Sequence, residues 1–208
     1  MLKIENDMEE IRELAVKEGA SRAKIIDIGS IVVDERVQLK CRYPPCINYG
    51  RSLMCPPYTL TAKEFREILE KYKYAIIFQV DKTIDKEVQK YIKNEETTLP
   101  DLYKDEKFVE LLLKKGVWIE GAETNKIISA LEREAFKRGY HFALGLTSGH
   151  CRLCEKCDPK NLCKHPWEAR PSMEAVGIDV SKTAENAGFK IQWGTKESMN
   201  LTALVLID

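Results

Sequence analysis

The sequence predicts an α/β fold: one domain over residues 1–208, with a mostly parallel or mixed sheet, flanking helices, a helical insertion at about 81–123 and cysteine-rich loops at 41–57 and 150–171. Three observations carry the expectation. Strand-length apolar runs alternate with segments of helical period, as in β-α units. A chain of 208 residues suits one large domain, and no low-complexity linker divides it. Each cysteine group is read as following a strand, and open α/β sheets place their sites beyond the carboxyl ends of strands.

The elements follow in order. Met8, Ile11 and Leu14 share a helical face over about 6–18, and Gly19 is placed to stop that helix. Residues 23–39, rich in Ile and Val around Gly29 and an Asp-Glu pair, predict one or two strands running up to Cys41. Thr61 with Glu64 forms a capping box for a helix whose Phe65, Ile68, Leu69 and Tyr72 share a face, and 74–80 is a buried strand. The insertion holds two helical pieces, one carrying Ile84, Val88, Tyr91 and Ile92, the other Phe108, Leu111 and Leu112; Pro100 lies between them and Gly116 ends the second. Thr124 caps a helix carrying Ile127, Ile128, Leu131 and Ala135, which Gly139 closes, and 140–146 makes a short strand. Beyond Pro171 come a helix near 181–187, its stop Gly188, and strands at 189–193 and 202–207. Both halves thus share the order helix, strand, cysteine loop, helix, strand.

Composition narrows the function. The 33 basic and 33 acidic residues cancel, so no global field draws the chain onto nucleic acid. The longest mostly apolar stretches, 74–80 and 201–207, are far short of the roughly 20 residues that span a bilayer. No dinucleotide or phosphate-loop motif occurs. The first twenty residues mix Glu, Lys and Arg with isolated apolar residues, unlike a secretory signal, which predicts the reducing cytoplasm. Cysteines grouped in that compartment serve metals or redox chemistry more often than disulfides.

Seven cysteines are present, and they are grouped: Cys41, Cys46 and Cys55, then Cys151, Cys154, Cys157 and Cys163, with 95 cysteine-free residues between. In the second group three thiols recur every third residue, the rhythm of a loop wound around a four-iron cube whose irons occupy separate corners. Structural zinc, the alternative, uses two separated Cys-x2-Cys knuckles because four ligands converge on one ion. Cys163 is the expected fourth ligand, although the run departs from bacterial ferredoxins in this last spacing and has Lys164-His165 before its proline, Pro166.

The first group has spacings of four and eight, and Arg42 and Arg51 are the only charged residues from 41 to 60. A loop that excludes carboxylates and keeps two arginines suits an anion, and Pro44, Pro45, Pro56 and Pro57 stiffen it. Three thiols leave one corner of a cube open. Cys163 or a histidine such as His150 or His165 fills it, or one iron keeps an exchangeable position that acts as a Lewis acid. His141, between Tyr140 and Phe142, is read as a core or strand-face residue.

Through Tyr49-Gly50, Cys55-Pro56-Pro57, the run from Cys151 to Cys157, Cys163-Lys164-His165-Pro166 and the stretch 170–179, the chain resembles a family described as predicted metal-binding proteins, domain of unknown function 2284, found largely in anaerobic archaea and bacteria. The resemblance implies metal binding, as iron and sulfur, in an oxygen-poor cytoplasm. Two functions compete. One is electron transfer through one or two four-iron clusters (4Fe–4S) to a redox partner protein. The other is an enzyme with an open cluster at the first group, acting on a small anionic substrate held by Arg42 and Arg51, by non-redox or sulfur-transfer chemistry. A zinc-stabilised interaction module is the third. No nucleic-acid or membrane partner is expected.

Overall fold

The computed structural model describes residues 2–93, 99–102, 104–115, 123–191 and 198–208. Its frame is a sheet of strands β1 (Arg22–Asp27), β2 (Tyr74–Thr83), β3 (Leu144–Leu146) and β4 (Ser198–Ile207). Their spatial order is β1-β2-β4-β3, and every neighbouring pair is antiparallel. This corrects the mostly parallel or mixed sheet expected above. The helical connection from β2 does lead to a strand running the same way, β3, but the C-terminal strand β4 inserts between the two and pairs with both. The unbroken apolar runs of β2 and β4 misled because they signal burial on both faces, which an antiparallel sheet also has when both its faces are covered.

The pleat divides β2 between two cores. Ile76, Phe78 and Val80 face helices α1 (Leu2–Lys17) and α7 (Glu123–Arg138), meeting Met8, Ile11, Ile127, Ile128 and Leu131. Ala75 and Ile77 face the other way, onto Phe65 and Leu69 of α3 (Ala62–Leu69) and onto Met173, Val176 and Ile178. Each large aliphatic side chain fully buried in this way contributes roughly 1.5–3 kcal/mol. Arg138 ties the outer helices together, donating to Asp7 at 2.8 Å and Glu10 at 2.5 Å on α1. Short helices α4 (Lys86–Gln89), α5 (Leu99–Leu102) and α6 (Glu106–Lys115) gather their own small core of Ile84, Val88, Ile92, Leu102 and Phe108.

Other expectations shift locally. The run 23–39 yields one strand and then α2 (Glu35–Arg42), because Asp34 accepts the Arg36 N–H at 2.8 Å and caps a helix. The first cysteine group therefore follows a helix, and the expected parallel between the two halves does not hold. Residues 81–83 continue β2 rather than begin the insertion. Residues 189–191 are not a strand; the rest of that expected strand, 192–193, and the Gly116 stop lie outside the described residues. Helix α8 (Val180–Asn186) forms as expected, capped by Asp179.

Candidate metal centre

The first group is built on the end of α2. Cys41 lies in its last turn, and the chain reverses so that the Cys46 N–H donates to the Cys41 carbonyl at 2.8 Å. Farther on, the Gly50 N–H reaches the Pro56 carbonyl at 2.9 Å and closes the loop. The Cys55 N–H donates to the Ser52 carbonyl at 3.0 Å, and the Ser52 hydroxyl bonds the Cys55 thiol. Cys55 is buried, Cys41 half-buried and Cys46 exposed. Burial pushes the Cys55 thiol up to about 12; the Ser52 hydrogen bond opposes this, and Cys46, Cys41 and Cys151 add to it. Cys41 is raised by burial, then by Cys46 and Glu174.

The second group hangs from a narrow neck. Thr147 pairs with Ser172 as β3 ends, its N–H donating to the Pro171 carbonyl at 2.9 Å and its carbonyl accepting from Met173 at 3.0 Å. Between these points the loop is pinned to α7. Arg170 forks onto Glu132 at 2.7 and 2.6 Å, and Asn125 donates to the Glu168 carbonyl at 2.9 Å. Two backbone N–H groups point at sulfur: Leu153 at Cys151 and His165 at Cys163, 3.4 Å away. Burial raises Cys151; the Leu153 N–H opposes it, and Cys163, Cys154 and Cys157 follow as electrostatic neighbours.

A single segment, residues 172–178, brackets both loops. Gln38 of α2 donates to the Ala175 carbonyl at 2.7 Å and the Leu60 carbonyl at 2.9 Å, and accepts from the Ala62 N–H at 2.9 Å. Thr59 donates to the same Ala175 carbonyl at 2.9 Å. The Asp34 N–H meets the Gly177 carbonyl at 2.8 Å. Gly177 has φ +89°, and a Cβ on it would sit 2.4 Å from the Ala62 Cβ, so the bracket passes the start of α3 where only glycine fits. Across the bracket, Cys55 of the first group interacts electrostatically with Cys151 of the second, and Cys41 with Glu174 of the bracket.

The remaining residues singled out in the sequence take varied places. Arg42 and Arg51 are exposed. His150 is largely withdrawn from water, and burial, helped by Arg152, lowers its pKa to about 4, so its imidazole is neutral at pH 7. The His165 Nδ1 lies 3.9 Å from the Glu168 carboxylate. His141 is exposed and packs against Phe136 with tilted rings whose centroids are 4.8 Å apart, outside any strand, which corrects the core or strand-face reading. Gln38, Glu123, Glu174 and Arg152 are site residues that spacing did not single out.

All seven cysteines are free thiols, the soft donors that thiophilic metals select once deprotonated. Among the described residues no group of three His, Cys, Asp or Glu is arranged to hold a single metal ion. No described helix is long and apolar enough to cross a membrane. The sequence profile of a family described as predicted metal-binding protein, domain of unknown function 2284, matches residues 24–207. No curated protein and no solved structure matches the chain.

Proposed function

The chain belongs to the family of predicted metal-binding proteins, domain of unknown function 2284, and from that premise we propose that it holds its metal as iron–sulfur clusters and serves electron transfer. One observation carries the reading: the seven thiols fall into groups of four and three, the four at cluster-like spacing, and one thiol from each group, Cys151 and Cys55, act on each other electrostatically. A cube presents each thiolate to a different iron, whereas zinc draws four ligands onto one point. Cys151, Cys154, Cys157 and Cys163 are the proposed ligands of one cluster, Cys41, Cys46 and Cys55 of a second.

Bound there, a cluster supplies a site that gains one electron from a reduced partner and gives it to an oxidised one. The chain's own part is to exclude water, orient the thiols and donate to sulfur, as the Leu153 and His165 N–H groups do; such bonds tune potential. Leu162 and Trp167, 94% and 86% exposed on either side of Cys163, offer a protein partner an apolar landing beside the centre.

A second reading rests on the first loop. Cys46, Arg42 and Arg51 all face solvent, so a cluster with one open iron there would be reachable by a small anionic substrate. Iron, sulfide and zinc analysis of protein purified without oxygen, with electron paramagnetic resonance before and after dithionite, tests both. Stoichiometric zinc without iron would sink the iron–sulfur reading. A signal from one of two clusters that moves with cyanide or thiolate favours the open site.

A further inference from the structure

Residues 151–170 contain five cations and three anions. Lys156, Lys160 and Lys164 are exposed, and so are Glu155, Asp158 and Glu168, so the loop's solvent face is neutral. Arg170 is paired with Glu132 of α7. The cation left over is Arg152, and it turns inward. Its Nη1 donates to the Ser148 carbonyl at 3.3 Å. Its guanidinium lies over Gly149, which has φ +64° and where a Cβ would stand 3.1 Å from Nη2. Its Nε is buried with no hydrogen-bond partner.

The titratable groups that act electrostatically on Arg152 are Glu174, Cys151 and Glu123. They come from the bracket, its own loop and the start of α7. Both glutamates also keep a buried oxygen, Oε2, without a partner, while the other oxygen of Glu123 takes Lys82. Glu174 in turn acts on Cys41 of the first group. A buried polar atom left unpaired is costly, so three of them, the Arg152 Nε and the Oε2 of each glutamate, mark a place arranged for something other than stability.

We propose that Arg152 is a positioning residue for the metal centre, balancing thiolate charge where the two cysteine groups meet, with Glu174 as the opposing charge on the Cys41 side. The inference rests on the iron–sulfur reading above. With the thiols protonated, Arg152 and Lys82 together offset the two glutamates. Ionised on iron, the thiols add negative charge to the same enclosure, and the buried Nε–H is the donor that remains. Reducing a cluster by one electron, supplied by dithionite, adds another negative charge. Removing the Arg152 cation therefore disfavours the reduced form, and removing the Glu174 anion favours it, with little water between to screen either.

The test is potentiometric titration of the anaerobically reconstituted full chain, followed by paramagnetic resonance, for wild type, Arg152→Gln, Arg152→Lys and Glu174→Gln. At fixed potential Arg152→Gln is expected to lower the reduced-to-oxidised ratio of a cluster about tenfold, a shift of about 59 mV for a one-electron couple. Glu174→Gln is expected to move it the opposite way, and Arg152→Lys to stay near wild type. Shifts of the same sign in Arg152→Gln and Glu174→Gln, or no shift in either, overturn the proposal. If Arg152→Gln takes up no iron, Glu174→Gln decides: a raised potential supports the proposal and an unmoved one refutes it. Wild type that binds no iron and sulfide brings down the iron–sulfur reading and this inference with it; a cluster that forms with unmoved potentials overturns this inference alone.

Discussion

Replacing Gly177 by alanine places a methyl group where the structure has no room for one. The new Cβ would lie 2.4 Å from the Ala62 Cβ and 3.1 Å from the Ala62 Cα, and the residue would keep φ +89°. The left-handed backbone costs a side-chain-bearing residue roughly 1–2 kcal/mol, and overpacking costs about 1–3 kcal/mol more. The expected loss is therefore about 2–5 kcal/mol, a large share of the roughly 5–15 kcal/mol of a typical domain. Urea unfolding followed by circular dichroism measures it. Ala62→Gly in the same chain removes the Cβ contact but leaves the backbone cost, so the double variant should recover about 1–3 kcal/mol relative to the sum of the singles. A loss below about 1 kcal/mol for Gly177→Ala, or strict additivity with Ala62→Gly, would refute the claim that this close passage locks the bracket against α3.

Four further outcomes are expected. Cys154→Ser or Cys157→Ser should strip iron from one cluster and spare the other, while Cys41→Ser does the reverse, read by iron and sulfide analysis with paramagnetic resonance. In metal-free protein at pH 8, exposed Cys46 should react with iodoacetamide well before Cys55, whose burial and pKa of about 12 leave almost no thiolate; mass mapping of the labelled peptides gives the order. Arg138→Met should cost about 2 kcal/mol, since it removes charge-assisted bonds to Asp7, Glu10 and Glu134. Asp7 has its carboxyl held below the usual range by Arg138, so its contribution is complete above the ordinary aspartate value and fades as pH falls through the lowered folded value; urea curves at stepped acid pH should show that limb flattened in Arg138→Met.

Much of the local structure was legible. Thr61 and Glu64 form the reciprocal cap their spacing announces, with bonds of 2.8 and 3.3 Å, and Gly139 and Gly188 end their helices at φ +99° and +76°. Strand directions were not legible, because the choice depends on β4, more than a hundred residues beyond β2, entering between β2 and β3. Asp34 falls within the run expected to form one or two strands, yet its carboxylate starts α2. In the candidate site, thiol spacing is a local signal and was visible at once. Gln38, Glu174 and Glu123 act only through chain crossings that no spacing records. Arg42 and Arg51 stood out because their loop lacks carboxylates, but composition carries no information about direction, and it is Arg152 that points inward.

The narrow neck at Thr147 and Ser172 has an evolutionary consequence. Closure entropy grows only as the logarithm of loop length, so shrinking the 148–170 excursion to about four residues would change its cost by only about 1.5 kcal/mol. Closure alone therefore sets little limit on the length of the loop. What holds it to the scaffold is the pair of contacts to α7, Arg170 to Glu132 and Asn125 to the Glu168 carbonyl, and a loop of another length that kept them could hang from the same neck with the sheet and its two cores unchanged.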